Sequence, residues 1–100
     1  MGARPGLFAV RVESNPYSVY TTSRADRQLE RLDSEVHDRV LAVILALGDE
    51  PHPAGSIKLK GRDGYRIRVG DYRALYLVDE EIREVTVYRV AHRREVYRRT

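Results

Sequence analysis

The chain has 100 residues, of which 42% are hydrophobic and 33% charged, and it contains no cysteine. That length predicts one domain with a modest core, and the lack of cysteine excludes disulfides and thiolate metal ligands. No apolar run approaches the roughly 20 residues that a membrane-spanning helix needs, and the three histidines lack metal-ligand spacing, so neither a membrane protein nor a metal site is predicted.

The formal net charge of +3 is distributed unevenly along the chain. Residues 1–50 hold six Lys and Arg against eight Asp and Glu, while residues 51–100 hold twelve against seven, so the halves carry −2 and +5. A basic surface is often only a solvated face, but here the basic half is also the half with strand-like patterns. That combination favours a nucleic acid or another polyanion as partner.

Residues 1–16 are predicted to form an N-terminal extension, and residues 17–100 the domain itself. One basic residue precedes a very short apolar patch at 7–12, which is too weak for a secretory signal, so a cytoplasmic location is expected. The patch fits an edge strand and a disordered extension equally well. Asn15-Pro16 marks the boundary.

A first strand is predicted at 17–22, followed by two helices with almost no linker. Ser23 is the predicted N-cap of the first helix, and Asp33-Ser34 starts the second. The second helix has the stronger apolar stripe, formed by Val36, Val40, Val43, Ile44 and Leu47. Intervals of three and four residues are those of a core-facing helix, so we expect an antiparallel helical hairpin.

Four short strands are predicted after the helices. In the first, at 56–61, Ile57 and Leu59 are expected to point inward. The alternating residues Lys58 and Lys60 are expected to point outward. The others are predicted at 65–69, 72–78 and 82–90. Strands joined by short turns pair antiparallel, so the expected fold is α+β, with a twisted antiparallel sheet and two helices on one face.

Arginines alternate with apolar side chains in the strand at 65–69. Arg66 and Arg68 should therefore stand together on the face opposite the core. The same face is predicted to gather further residues from the next strand and the basic tail, namely Arg73, Arg93 and Tyr97. Guanidinium groups bind phosphate oxygens through paired hydrogen bonds, so this face is predicted to bind a nucleic-acid backbone.

The order of elements, with YRIRVGDYRALY followed by VYRVAHRREVY, resembles the RelE/ParE superfamily of bacterial toxins, and more closely its RelE branch of messenger-RNA interferases. The resemblance covers residues 17 to about 98 and implies a microbial-RNase-like α+β fold. It implies a type II toxin that cuts messenger RNA in the ribosomal A site without a metal or other cofactor. It also implies a RelB-like antitoxin that holds the toxin inactive in a hetero-oligomer.

The resemblance also implies roles for individual residues. Arg73 matches an arginine that stabilises the scissile phosphate, Arg93 the proposed general acid, and Tyr97 the proposed general base. Arg66 and Arg68 match two lysines that hold the RNA backbone and lower the pKa of the base. As arginines they keep that electrostatic role but do not relay protons. Contacts to phosphate or ribosomal RNA are expected from Lys58, Lys60, His92 and Arg94.

Metal-free RNA cleavage is chemically consistent with this set of residues. The 2′-OH of RNA attacks the adjacent phosphorus, so the reaction needs a base, a group that offsets phosphorane charge and an acid. Tyrosine is a poor base at its ordinary pKa of about 10, but nearby cations favour the phenolate and lower that pKa. Each unit of lowering corresponds to roughly 1.4 kcal/mol. A cluster of arginines is therefore a plausible means of activating Tyr97.

Two other functions stay open on sequence alone. A ParE-type inhibitor of DNA gyrase has the same fold but generally lacks the arginine–tyrosine set, so Arg73, Arg93 and Tyr97 favour RNA cleavage. A degenerate member would bind only its antitoxin and operator. The structural alternatives are surface salt bridges for the two arginines and packing for Tyr97. Packing is also the main role expected for Tyr65, Tyr72, Tyr76 and Tyr88, with stacking on a base as an alternative for Tyr72.

Overall fold

The computed structural model describes the backbone of residues 16–98 and the side chains of residues 16–95. The predicted extension therefore lies outside the described residues except for Pro16, and so does the side chain of Tyr97. The described elements, in chain order, are β1 (Ser18–Thr21), α1 (Ser23–Glu30), α2 (Ser34–Ala46), β2 (Ile57–Lys58), β3 (Tyr65–Val69), β4 (Tyr72–Asp79), β5 (Glu84–His92) and α3 (Arg93–Arg98). None of the helices within 16–98 has the length and apolar character that crossing a lipid bilayer requires.

The five strands form one sheet in the order β1-β5-β4-β3-β2. Strands β2 to β5 pair antiparallel with their neighbours, which confirms the predicted α+β fold. β1 differs, because it runs parallel to β5, with Ser18 opposite Glu84 and Thr21 opposite Val87. Parallel pairing needs a long crossover, and the intervening helices and strands provide one.

The two helices after β1 form as predicted, but the first cap is displaced by one residue. Thr22 is the N-cap of α1, and its Oγ1 accepts a hydrogen bond from the amide of Ala25 at 3.2 Å. The prediction of Ser23 was wrong because both residue types cap well, and the extended backbone of Thr22 decides between them. Asp33 is the N-cap of α2, at the predicted break.

Helices α1 and α2 pack on one face of the sheet, called the covered face. The core lies between these helices and the sheet. From the predicted stripe of α2, Val40, Ile44 and Leu47 are buried. The strands contribute Val19, Ile67, Val69, Ala74, Tyr76, Val85, Val87 and Val90. Tyr76 is fully buried, and its hydroxyl donates to the carbonyl of Pro51 at 2.8 Å, which satisfies its polar end.

A β-bulge in β5 changes which residues of that strand reach the core. Leu75 pairs with Arg89 and Tyr76 with Val87, so Tyr88 is an extra residue relative to β4. The phase of alternation therefore shifts by one residue, and Val87 and Val90 both lie on the covered face. Without the bulge, the alternation that starts before Val87 would direct Arg89 into the core.

The segment at 56–61 departs from its prediction. Only Ile57 and Lys58 form a strand, and they pair with Arg66 and Tyr65. The inward orientation predicted for Ile57 is wrong, since it shares the face of Arg66 and is 51% exposed. Lys58 lies on the other face. A two-residue edge strand takes its register from its neighbour, which overrides its own short hydrophobic pattern. Leu59 is half-buried, as part of a small second apolar cluster.

The end of the chain contains an element that was not predicted. β5 continues to His92, and the basic tail, for which no helix or strand was predicted, then forms the short helix α3. The amide of Arg93 donates to the carbonyl of Asp71 at 2.8 Å. This bond ties the start of α3 to the turn between β3 and β4. The helix therefore begins at a defined point of the sheet.

Candidate nucleic-acid interface

The face of the sheet opposite α1 and α2, called the open face, carries the predicted arginines in two rows. The row nearer the β3–β4 turn contains Arg68, Arg73 and Ala91 on successive strands. The next row contains Ile57, Arg66, Leu75 and Arg89. Arg66, Arg68 and Arg73 thus share one face, as the alternation predicted. We call these two sets the arginine rows.

Arg68 and Arg73 lie directly opposite each other on β3 and β4. Arg68 is exposed, and its Nε donates to the carbonyl of Gly70 at 3.2 Å. Arg73 is only 6% exposed, and its Nη1 donates to the carbonyl of Tyr72 at 3.2 Å. Like charges directly across a strand pair destabilise a sheet. An anion bound between the two guanidinium groups would offset that repulsion.

The β3–β4 turn gathers further cations beside the first row. Gly70 has φ +61°, which suits the first central position of a two-residue hairpin turn. Arg39 of α2 reaches this turn, with its Nη2 3.3 Å from where a Cβ on Gly70 would lie. Arg93 is held there by the hydrogen bond from its backbone amide to the carbonyl of Asp71, and its side chain is exposed. The turn end of the sheet therefore carries more positive charge than the strands alone predicted.

Helix α3 lies against the open face. It contacts β4 and β5, and Nη2 of Arg89 donates to the carbonyl of Glu95 at 3.4 Å. Because Arg89 belongs to the second arginine row, this bond shows on which face α3 lies. The backbone of Tyr97 is part of α3 and so lies on the same side as Arg73. The predicted catalytic set is thus brought to one end of one face at the level of the backbone.

Some predicted binding residues lie elsewhere. His92 pairs with Tyr72 at the edge of the covered face, and their ring centroids are 5.4 Å apart. Its Nδ1 accepts from the amide of Arg94, whose side chain is exposed. Lys58 holds its Nζ 5.5 Å from the ring centroid of Tyr65, on the covered side of the outermost strand. Lys60 is exposed in the following loop. The lysines and His92 border the arginine rows without being part of them.

Arg89 and Tyr88 lie on the open face without having been predicted there. The bulge turns Arg89 outward, and Tyr88 packs with Leu75 and Ala91 in the second apolar cluster. Tyr88-Arg89 is a Tyr-Arg pair like those at 65–66 and 72–73. That similarity is the sequence feature that could have indicated an outward-facing arginine at 89. Strict alternation along β5 from Val85 and Val87 predicts the opposite orientation for Arg89, because alternation does not account for a bulge.

The opposite end of the sheet, around the β4–β5 turn, is acidic. Glu80 accepts from the hydroxyl of Tyr17 at 2.5 Å and lies 2.9 Å from Nε2 of His52. The Tyr17 hydrogen bond, and after it the one from His52, holds the pKa of Glu80 below its usual range. The same bond to Glu80 raises the pKa of Tyr17. Within residues 16–98, no group of three His, Asp or Glu side chains is arranged to hold a metal ion.

Comparison with known proteins relates this arrangement to a family. Residues 19–97 match the family described as "ParE toxin of type II toxin-antitoxin system, parDE". Toxin RelG of Mycobacterium tuberculosis is 38% identical over 90 residues, a match that covers 84% of this chain and 99% of RelG. The residues that match the family, 19–97, include the whole sheet apart from Ser18, the first residue of β1.

Solved structures share the same fold. The RelBE2 toxin–antitoxin complex from Mycobacterium tuberculosis matches with a TM-score of 0.70 and 31% identity, covering 77% of this chain and 98% of that one. The archaeal RelE–RelB complex from Pyrococcus horikoshii matches with a TM-score of 0.71 and 30% identity, covering 78% and 96%. The similarity therefore extends over nearly the full length of both relatives.

Proposed function

The chain belongs to the RelE/ParE superfamily, the toxins of type II toxin–antitoxin systems, and from that premise we propose that it is a ribosome-dependent endoribonuclease. It would cut messenger RNA in the A site and so stop translation in the cytoplasm. The observation that carries the proposal is the opposition of Arg68 and Arg73 beside the start of α3. Such paired guanidinium groups are suited to a phosphate that gains charge during a reaction.

In the proposed reaction, the 2′-OH attacks the neighbouring phosphorus and the 5′-oxygen of the next nucleotide leaves. Tyr97 accepts the proton of the 2′-OH, and the cations around it lower the pKa that makes tyrosine a weak base. Arg73 offsets the charge that develops on the non-bridging oxygens. Preorganised donors of this kind typically contribute about 10²–10³-fold to a rate.

Arg93 is assigned to the leaving 5′-oxygen. A guanidinium is a very weak acid, so it gives up a proton only to a strong base. An alkoxide is such a base, because alcohols are about as weakly acidic as water. Proton transfer from Arg93 therefore becomes favourable as the bond to phosphorus breaks. Arg66, Arg68 and the bordering basic residues hold the RNA backbone.

An antitoxin is the expected partner, since the solved relatives are toxin–antitoxin complexes. The basic open face favours a RelB-like, acidic and partly disordered chain that lays an amphipathic helix across it. It would inhibit by covering the arginine rows or by displacing α3. Free and antitoxin-bound protein should then cut RNA at very different rates, and equal rates would contradict this mechanism.

The alternative function is inhibition of DNA gyrase by a ParE-type binding toxin. The match of residues 19–97 to the ParE family favours it, whereas the RelG relative and the arginine–tyrosine set favour RNA cleavage. The deciding experiment incubates the protein with ribosomes that carry a defined messenger and maps the cuts by primer extension. We expect cuts at the A-site codon, weakened by Arg73→Ala and by Tyr97→Phe.

If the protein makes no cuts where a known interferase does, the cleavage proposal is wrong. A supercoiling assay with gyrase then tests the alternative. Inhibition of supercoiling by the same preparation would identify the chain as a binding toxin. A degenerate toxin would show neither activity and would still bind its antitoxin.

A further inference from the structure

Tyr88 is the residue that the bulge adds to β5, and bulges characteristically re-aim a side chain. Its side chain packs against Leu75 and Ala91 in the middle of the open face. Its hydroxyl accepts a hydrogen bond from Nη2 of Arg62 at 3.4 Å. Arg62 lies in the loop between β2 and β3, and β4 separates that side of the sheet from β5. The Tyr88 side chain therefore extends across the sheet surface.

The apolar cluster under Tyr88 lies among the arginine rows. Leu75 has Arg66 on one side and Arg89 on the other, and Ala91 lies next to Arg73. A surface that bound only phosphates would need no aromatic ring there. Proteins that bind single-stranded RNA combine both features, because aromatic rings stack unpaired bases while cations follow the backbone.

The spacing along β4 fits such a combination. Arg73 and Leu75 are two positions apart, which is about 7 Å along a strand. That distance is on the scale of one nucleotide in an extended chain. A phosphate held at the first arginine row would therefore have a neighbouring base within reach of the Tyr88 ring. The Tyr88 side chain packs against the cluster and is only half-buried, so part of it is open to solvent.

We propose that Tyr88 is a stacking platform for one unpaired base of single-stranded RNA, with Arg62 orienting the ring through its hydroxyl. The bound base is the neighbour of the phosphate that the arginine rows hold. The subsite rests on the proposed function of the open face and adds to it a contact with the base. It revises the packing role that the sequence indicates for Tyr88.

The test is a mutant cycle between the ring and the base. The probe is a short single-stranded RNA with 2′-O-methyl riboses, which cannot be cleaved, together with copies that each carry one abasic nucleotide. For the wild-type protein, one abasic position should weaken binding about 5- to 150-fold, the range for stacking of a base on an aromatic ring. In Tyr88→Leu, binding of the intact RNA should weaken by a similar factor, and that abasic position should cost nothing more.

Two further variants control for loss of packing. Tyr88→Trp keeps a stacking surface and should keep the preference for the intact RNA. Tyr17→Leu removes a tyrosine at the acidic end and should behave as wild type. Thermal melts establish that each variant is folded. The proposal is overturned if Tyr88→Leu weakens the intact and all abasic RNAs equally, if Tyr88→Trp loses the preference, or if wild type binds every abasic RNA as tightly as the intact one.

This outcome is separate from that of the cleavage assay. The binding cycle uses RNA that cannot react and needs no ribosome. A protein that shows the base preference but makes no cuts would support the stacking subsite and contradict the nuclease proposal. A protein that cuts at the A site without any base preference would do the reverse.

Discussion

The two faces of β4 differ although their residues alternate along one strand. Tyr72, Ala74, Tyr76 and Val78 belong to the core, whereas Arg73, Leu75 and Leu77 lie on the open face. Burial alone does not separate them, since Tyr76 is 0% exposed and Arg73 only 6%. What differs is the covering element. The covered face is closed by α1 and α2 through apolar contacts, while the row of Arg73 lies beside the short, basic α3.

The two faces of the sheet therefore have different roles. The covered face holds the domain together through hydrophobic burial, so its residues are constrained by volume. The open face carries charge, and cations dominate its end at the β3–β4 turn. The opposite end carries the acidic β4–β5 turn with Glu80 and Glu81. Such a separation of charge steers a polyanion towards the β3–β4 turn.

The largest expected effect comes from Val87→Asp, because Val87 is 0% exposed in the core of the covered face. An unpaired buried charge costs several kcal/mol, a large part of a typical stability of about 5–15 kcal/mol. Circular-dichroism melts should show no cooperative unfolding. The matched control is Thr86→Asp, which places the same charge on the open face at the neighbouring residue and should still melt cooperatively. Identical behaviour of the two variants would contradict the assignment of the two faces.

On the open face, Arg73→Ala should reduce A-site cleavage by about 10²–10³-fold, because it removes a donor to the phosphorane. Primer extension on programmed ribosomes measures the rate. The matched control is Glu81→Gln, an exposed charge at the acidic end, which should cut as wild type does. Wild-type cleavage by Arg73→Ala would rule out the assigned role.

On the covered face, Tyr76→Phe should destabilise the fold by about 1–3 kcal/mol, since the buried carbonyl of Pro51 loses its donor. Cleavage below the melting temperature should be unchanged. Burial raises the pKa of Tyr76 above 10.0, so its contribution is complete below that pH and is lost as pH rises, when the unfolded tyrosine ionises first. Denaturant titrations should therefore show the deficit of the variant shrinking at alkaline pH. A constant deficit would contradict the assignment.

A smaller effect is expected at the start of α1, which packs on β5. Thr22→Ala should cost about 1 kcal/mol through loss of the cap to Ala25. Ser23→Ala should cost less, because Ser23 is the first residue of the helix and not its cap. Urea titrations compare the two free energies of unfolding. A larger loss of stability for Ser23→Ala than for Thr22→Ala would instead identify Ser23 as the cap.

The smallest effect is expected for Glu80→Gln at the exposed acidic end. The Tyr17 hydrogen bond and His52 lower the pKa of Glu80 from 4.5, so its stabilising contribution exists above that value and is lost as pH falls through the lowered pKa. Melting temperatures should differ slightly near neutral pH and converge in acid. A difference that persists in acid would mean that the carboxylate charge is not its source.

Part of the candidate site followed from local pattern. Alternation put Arg66 and Arg68 on one face, and the Gly70-Asp71 turn brought Arg73 opposite Arg68. The roles of Arg73, Arg93 and Tyr97 come from the family resemblance and stay predictions. Arg89, Arg39 and the Tyr88–Arg62 contact were missed, because each depends on a neighbour distant in sequence.

The sequence by itself determined the helical hairpin, the three long antiparallel strands and the basic character of the second half, since these follow from periodicity, turn residues and composition within short windows. The tertiary structure alone decided the parallel pairing of β1, the face of Lys58, the bulge at Tyr88 and the position of α3. Register, bulges and docking of a terminal helix are set by contacts between segments far apart in the chain. Local patterns carry no record of those contacts.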